Sequence, residues 1–160
     1  YYITSAIVMK FVEDAKNADA LVIMVQDDVA KRFCAEAGTP EYGAITAAIA
    51  RRADAKIVKY VPRQMFYPVP GVDSAVVKLT FGEGRIPVKD AKTYRDTVRA
   101  AFLSRRKTLE NNLVNAFSLT REKAKEALAR AGVDEKARGE TLSPEKLAEL
   151  ADILYEMKRN

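Results

Sequence analysis

The segment Met65-Phe66-Tyr67-Pro68-Val69-Pro70-Gly71-Val72-Asp73-Ser74 sets two aromatic side chains among prolines. Proline fixes φ and stiffens such a loop. A ring held at the end of a strand pair can stack on a nucleobase, at roughly 1–3 kcal/mol per base. It can equally plug the end of a sheet, and spacing alone leaves both readings open. A second candidate is Arg105-Arg106-Lys107, with Arg99 nearly two helical turns earlier. Clustered cations suit phosphate contacts, which give affinity and position but little sequence information. The bland alternative is a solvated helix start. Cations there oppose the helix dipole, so the run sits at some cost to stability. Arg51, Arg52, Lys59 and Arg63 extend the patch only if they share its face.

Other chemistries drop out on composition. The chain has 160 residues, no His and one Cys. A Ser-His-Asp or Cys-His pair is impossible without imidazole, and a zinc site lacks its usual ligands. No metal is expected, and no internal disulfide can form. Cys34 reads as a small buried apolar residue. Lys plus Arg number 27 and Asp plus Glu 22, a net charge of +5, with 48% hydrophobic and 31% charged residues. That is globular composition. No apolar run approaches the ~20 residues of a membrane span, so no membrane partner is expected. The scarcity of Cys suits a reducing cytoplasm.

The elements that must position these residues fall into two halves. The first alternates helical and strand-like patterns. Thr4 or Ser5 can cap a helix bearing Ile7, Val8, Phe11 and Val12. Residues 20–25, Ala-Leu-Val-Ile-Met-Val, form a continuous apolar run of the kind covered on both faces in a parallel sheet. A short helix with Val29, Phe33 and Cys34 follows, then an alanine-rich helix over 44–53. Ile57 to Val61 reads as a strand stopped by Pro62. Asp73 to Phe81 alternates at period two and is another strand. No Gly-rich strand-to-helix turn offers a nucleotide cradle. The second half is wholly helical. Apolar stripes run through Tyr94, Val98, Ala101 and Phe102, through Leu109, Leu113, Ala116 and Phe117, and through Ala124, Ala127, Leu128 and Ala131, where Gly132 takes the C′ position. Ser143 caps a last helix with Pro144 at its first position. The expected division is a β/α part over 1–82, a linker over 83–90 and a helical domain over 91–160.

Taken together, these residues resemble the small-subunit ribosomal RNA adenine N6-dimethyltransferases, a Rossmann-like family that includes the macrolide-resistance rRNA methylases. The resemblance is carried by Tyr1-Tyr2-Ile3-Thr4-Ser5, which is similar to the close of the family's Asn-Leu-Pro-Tyr motif, by Tyr42-Gly43-Ala44, and by Phe66 to Val77. The run Ala101 to Leu109 with Asn112-Leu113, and Arg138-Gly139-Glu140-Thr141-Leu142-Ser143, extend it through the helical half. These later segments favour the small-subunit enzymes over the resistance methylases. Glu110 stands where the family often has a basic residue.

The resemblance implies an α/β fold followed by an all-α domain: the late strands and helices of a class I methyltransferase sheet, then a small RNA-binding helical domain. It implies S-adenosylmethionine as cofactor and small-subunit rRNA, or the small ribosomal subunit, as partner. Two adjacent adenines would be dimethylated. The motif's Asn side chain and Pro carbonyl would accept the N6 hydrogens and favour a nucleophilic nitrogen. Tyr1 and Phe66 would stack on the extruded base, while Arg63, Arg99, Arg105, Arg106 and Lys107 hold the strand. Because the match opens at the motif's final Tyr, the Gly-rich cofactor loop is expected upstream of Tyr1, and these 160 residues alone are expected to be inactive. The apolar strand over 20–25 is then an open edge that invites self-association. The competing expectation is a non-catalytic RNA- or ribosome-binding module that keeps the aromatic loop for packing.

Overall fold

The computed structural model describes residues 3–82 and 85–160. Its sheet has three strands, β1 (Ala20–Gln26), β2 (Ala53–Val61) and β3 (Ser74–Phe81), in the order β1-β3-β2. Both outer strands run antiparallel to β3, with Ile23 and Ile57 flanking Val77 in register. The apolar run over 20–25 is therefore not a parallel-sheet interior strand. It is an edge strand with one face covered. Leu21, Ile23 and Val25 turn towards the helices, while Val22 and Met24 remain 60% and 41% exposed. Unbroken hydrophobicity carries no period-two signal, so it could not reveal which face was bare.

The covered face packs against α1 (Thr4–Asp14), α2 (Asp27–Phe33) and α3 (Ala44–Ala50). Val8, Val12, Ala30, Phe33 and Ile49 close over Val25, Ala75, Val77 and Leu79. Helix α1 begins at Thr4 with Ile3 as its N-cap, so neither Thr4 nor Ser5 caps it. The alanine-rich helix stops at Ala50 and Ala53 already opens β2, because Ala53 pairs with Phe81 in the ladder. A bulge at Val58 shifts the register of β2.

The C-terminal half is a four-helix layer: α4 (Ala91–Ala101), α5 (Leu109–Phe117), α6 (Arg121–Arg130) and α7 (Pro144–Arg159). Its signals were local and strong. Asp90, Thr108, Thr120 and Ser143 each accept a backbone N–H two or three residues into their helix. Gly132, at φ +65°, ends α6 with its N–H on Ala129 and that of Val133 on Leu128, the paired bonds of a Schellman motif. The helical core centres on Tyr94, Leu109, Leu113, Leu128, Leu147 and Leu150. It also takes in Tyr42 and Ala47 from the β/α half. Helix α3 thus contributes Ile49 to the sheet core and Ala47 to the helical one. The Tyr94 hydroxyl donates to the Ala47 carbonyl at 2.8 Å, and that of Tyr42 to the Leu142 carbonyl at 2.8 Å. Burial pushes both phenol pKa values up.

Candidate functional site

The aromatic loop joins β2 to β3 and is tied at its neck. Asp73 accepts the Arg63 backbone N–H at 2.8 Å on its carboxylate, and its carbonyl accepts that of Asp27 at 3.1 Å. A short 3-10 turn, Arg63–Met65, carries the chain to Phe66, and the Tyr67–Pro68 peptide bond is cis. Phe66 is half-buried and Tyr67 fully exposed. The Tyr67 ring is therefore not a plug for the end of the sheet, and Phe66 keeps part of its surface open. Beside the loop lies a cleft of about 450 Å³ lined by Arg63, Gln64, Asp27, Asp28 and Asp73. Tyr1, the other expected base-stacking residue, lies outside the described residues.

The basic run sits on the α4–α5 junction, and the residues around it explain its shape. Gly139 lies under the end of α4, where a Cβ would meet the Ala101 carbonyl oxygen at 2.0 Å. No residue with a side chain fits there. Asn112 donates to the carbonyls of Ala101 and Ser104 at 3.4 and 3.2 Å, and the Leu109 N–H donates to Ala137 at 2.8 Å. These contacts fix the turn that displays the cations. Within the run the three residues divide. Arg105 donates to the carbonyls of Tyr42 and Pro40 at 2.8 and 3.2 Å, tying the junction to the β/α half. Arg106 and Lys107 are exposed, and their side chains have no hydrogen bond or ion pair among the described residues. Glu110 turns inward, is 6% exposed, and takes its charge partner from Arg121 at 2.8 Å. It therefore does not face the run as a competing anion.

Arg105 also lines a cleft of about 790 Å³ together with Lys31 and Arg32. Lys31 is held by Asp27 at 2.6 Å, which raises its pKa. The α2 backbone at Arg32 is fixed by the buried Thr46 hydroxyl, which donates to the Arg32 carbonyl at 2.6 Å. Arg32 is a basic group the sequence did not single out: one cation in a short helix has no pattern, and only the fold brings it beside Arg105. Asp28 borders both this cleft and the one at the aromatic loop. The remaining expected cations disperse. Arg99 opens onto a separate groove with Arg51 and Arg95. Arg52 donates to the carbonyls of Glu13 and Ala15 at 3.0 and 2.9 Å, closing the end of α1. Lys59 pairs with Val76 across the sheet. Cys34 is half-buried, and burial raises its thiol pKa.

The strand-to-helix turn from β1 to α2 is Gln26-Asp27-Asp28, with two carboxylates and no glycine, unlike the Gly-rich turns that bring backbone close to a nucleotide. Among the described residues there is no metal-binding group of three or more His, Cys, Asp or Glu.

The family model described as Ribosomal RNA adenine dimethylase matches residues 1–156. The chain belongs to the ribosomal RNA adenine dimethylase family. Among this family's curated members, ribosomal RNA small subunit methyltransferase A of Shouchella clausii is 43% identical over 162 residues, covering 99% of this chain and 55% of the relative. The protein of the same name from Clostridioides difficile is 43% identical over 155 residues, covering 96% and 54%. The chain thus spans about half the length of the curated relatives it matches. A crystal structure of a dimethyladenosine transferase from Plasmodium falciparum superposes with a TM-score of 0.82 at 22% identity, covering 99% of this chain and 64% of that one. The 23S rRNA methyltransferase ErmE superposes at 0.66 with 26% identity, covering 97% and 62%. The α/β arrangement with a small antiparallel sheet thus matches part of the fold of these methyltransferase structures.

Proposed function

We infer that this chain is the base-presenting and RNA-gripping portion of a small-subunit rRNA adenine N6-dimethyltransferase that uses S-adenosylmethionine, acts on two adjacent adenines and works in the cytoplasm. The observation that carries the reading is the exposed aromatic loop beside a cleft, with free cations on a rigid turn in the same molecule. The curated relatives' names favour small-subunit over large-subunit RNA.

An adenine N6 lone pair is delocalised into the ring, so the base must leave its stack before it can react. Phe66 offers the extruded base a face, and the tied neck at Asp73 keeps that face in place. Positioning of this kind accounts for much of the rate in a transfer between two bound groups. Arg106 and Lys107 bind phosphate and orient the strand, with Arg63 and Arg105 in support. The work of these residues in this reading is to bind and orient RNA. In the isolated 160-residue chain the open edge of β1 is free to pair with a second copy.

The reading is tested with an RNA hairpin carrying 2-aminopurine at an unpaired adenine position. Stacking on Phe66 should quench its fluorescence when the chain binds. Phe66→Ala should remove the quench and weaken binding by roughly 1–3 kcal/mol. Tight binding without a quench would instead identify a non-catalytic RNA-binding module.

A further inference from the structure

A groove of about 250 Å³ runs between α1 and α3 on one side and α4 on the other, clear of the aromatic loop and of the Arg106–Lys107 turn. Its floor is apolar: Met9, Ile45, Ala48 and Val98. Its rim carries Arg51, Arg95 and Arg99, against a single acid, Glu13. Arg95 and Arg99 stand one helical turn apart, so they project from one face of α4. Arg51 lies 6.0 Å from the Tyr94 ring centre. None of the three guanidiniums has a hydrogen bond or ion pair among the described residues, although eleven ion pairs form elsewhere among them. Burial, then the charges of Arg52 and Arg95, hold Arg51 below the usual arginine range. These cations repel one another, and among the described residues lining the groove only Glu13 and the Tyr94 ring beneath Arg51 offset them. The groove also adjoins the cleft of Arg32 and Arg105, since Ala44 and Ile45 line both. The two hollows therefore meet at the start of α3, with Arg32 and Arg105 on one side and Arg51, Arg95 and Arg99 on the other.

Resting on the RNA reading above, we propose that this groove is a second RNA site. It binds a single-stranded segment flanking the target, with phosphates on Arg51, Arg95 and Arg99 and a base or ribose on the apolar floor. Charge complementarity decides for a polyanion over an apolar helix, because the rim sets three arginines against one acid. An unpaired strand, unlike a duplex, can turn a base onto such a floor.

The test compares a hairpin RNA with the same hairpin bearing an eight-nucleotide single-stranded tail, binding the full 160-residue chain. The tail should tighten binding about tenfold and steepen its salt dependence by ~2, from three contacts at ~0.7 each. The triple variant Arg51→Gln/Arg95→Gln/Arg99→Gln should abolish both gains and leave hairpin binding unchanged. Arg95→Gln/Arg99→Gln removes only half-buried and exposed side chains and should give most of the loss, which keeps the test decisive if the triple variant folds poorly. Arg106→Gln/Lys107→Gln should weaken hairpin binding and spare the contribution of the tail. If instead that pair leaves hairpin binding intact, the junction reading fails while the groove stands. A tail that adds nothing, or a gain that survives the groove variants, overturns the proposal. So does displacement of the tail by an acidic peptide at lower concentration than by oligouridylate, which would make the groove a protein site.

Discussion

Single residues carry most of the division of labour at the α4–α5 junction. Three adjacent cations looked equivalent in the sequence, yet Arg105 is committed to two carbonyls of the β/α half while Arg106 and Lys107 point to solvent. Arg105→Gln is therefore expected to lower stability by about 1 kcal/mol, the scale of a partly exposed charge-assisted bond pair, with a modest change in RNA affinity. Arg106→Gln/Lys107→Gln should do the reverse. Denaturant midpoints and RNA titrations on the same samples separate the two. Gly139 is the other decisive position. Gly139→Ala places a methyl against the Ala101 carbonyl, and its cost should reach or exceed the ~3 kcal/mol upper end of overpacking. A variant melting within a degree or two of the wild type would refute that contact. The motif around Gly139 was readable as a string of residue types, but its work was not. Nothing in its local sequence says that it props the end of α4, because the partner lies far away in the chain.

At the scale of elements, legibility followed locality. The helices of the second half announced themselves through apolar stripes, the Gly132 stop and the Ser143 cap, and all four formed where those signals lay, while the caps at Asp90, Thr108 and Thr120 emerged only in the structure. The sheet was harder, because pairing and facing are set by distant strands. One cap makes a pH prediction. Asp90 accepts both the backbone N–H and the hydroxyl of Thr93, and these bonds hold its pKa below the usual carboxylate range. A depressed folded-state value contributes stability that is complete above the unfolded pKa and is lost as pH falls through the folded one. Thermal melts from neutral pH down through this acid range should show Asp90→Asn losing less stability on acidification than the wild type. A second prediction concerns β1. Among the described residues its outer backbone edge is unpaired, and Val22 and Met24 are exposed beside it. The 160-residue chain should associate with rising concentration. Val22→Lys/Met24→Lys should return it to monomer, since charges blunt an edge. Light scattering that finds a monomer for both would refute the pairing.

The whole molecule joins an aromatic loop at one end of a sheet to cations on a helical layer, with Asp28 at the border of the two clefts between them. Composition and the lack of His pointed to binding and positioning in place of nucleophilic or zinc chemistry. What the sequence could not convey was the arrangement of dispersed arginines. Arg51, Arg95 and Arg99 come from elements more than forty residues apart, and only the docking of α4 on α3 makes them neighbours.

Helix α3 is only seven residues long, yet it is mortared into both hydrophobic interiors. Neither half can therefore melt without tearing a wall from the other. Calorimetry should record one endotherm, and amides of β3 and α7 should exchange with deuterium at matching rates under conditions that favour complete opening. A rigid rivet of this kind also makes the distance from Phe66 to Lys107 a built-in ruler, and a nucleic acid of the wrong curvature would fail to reach both ends.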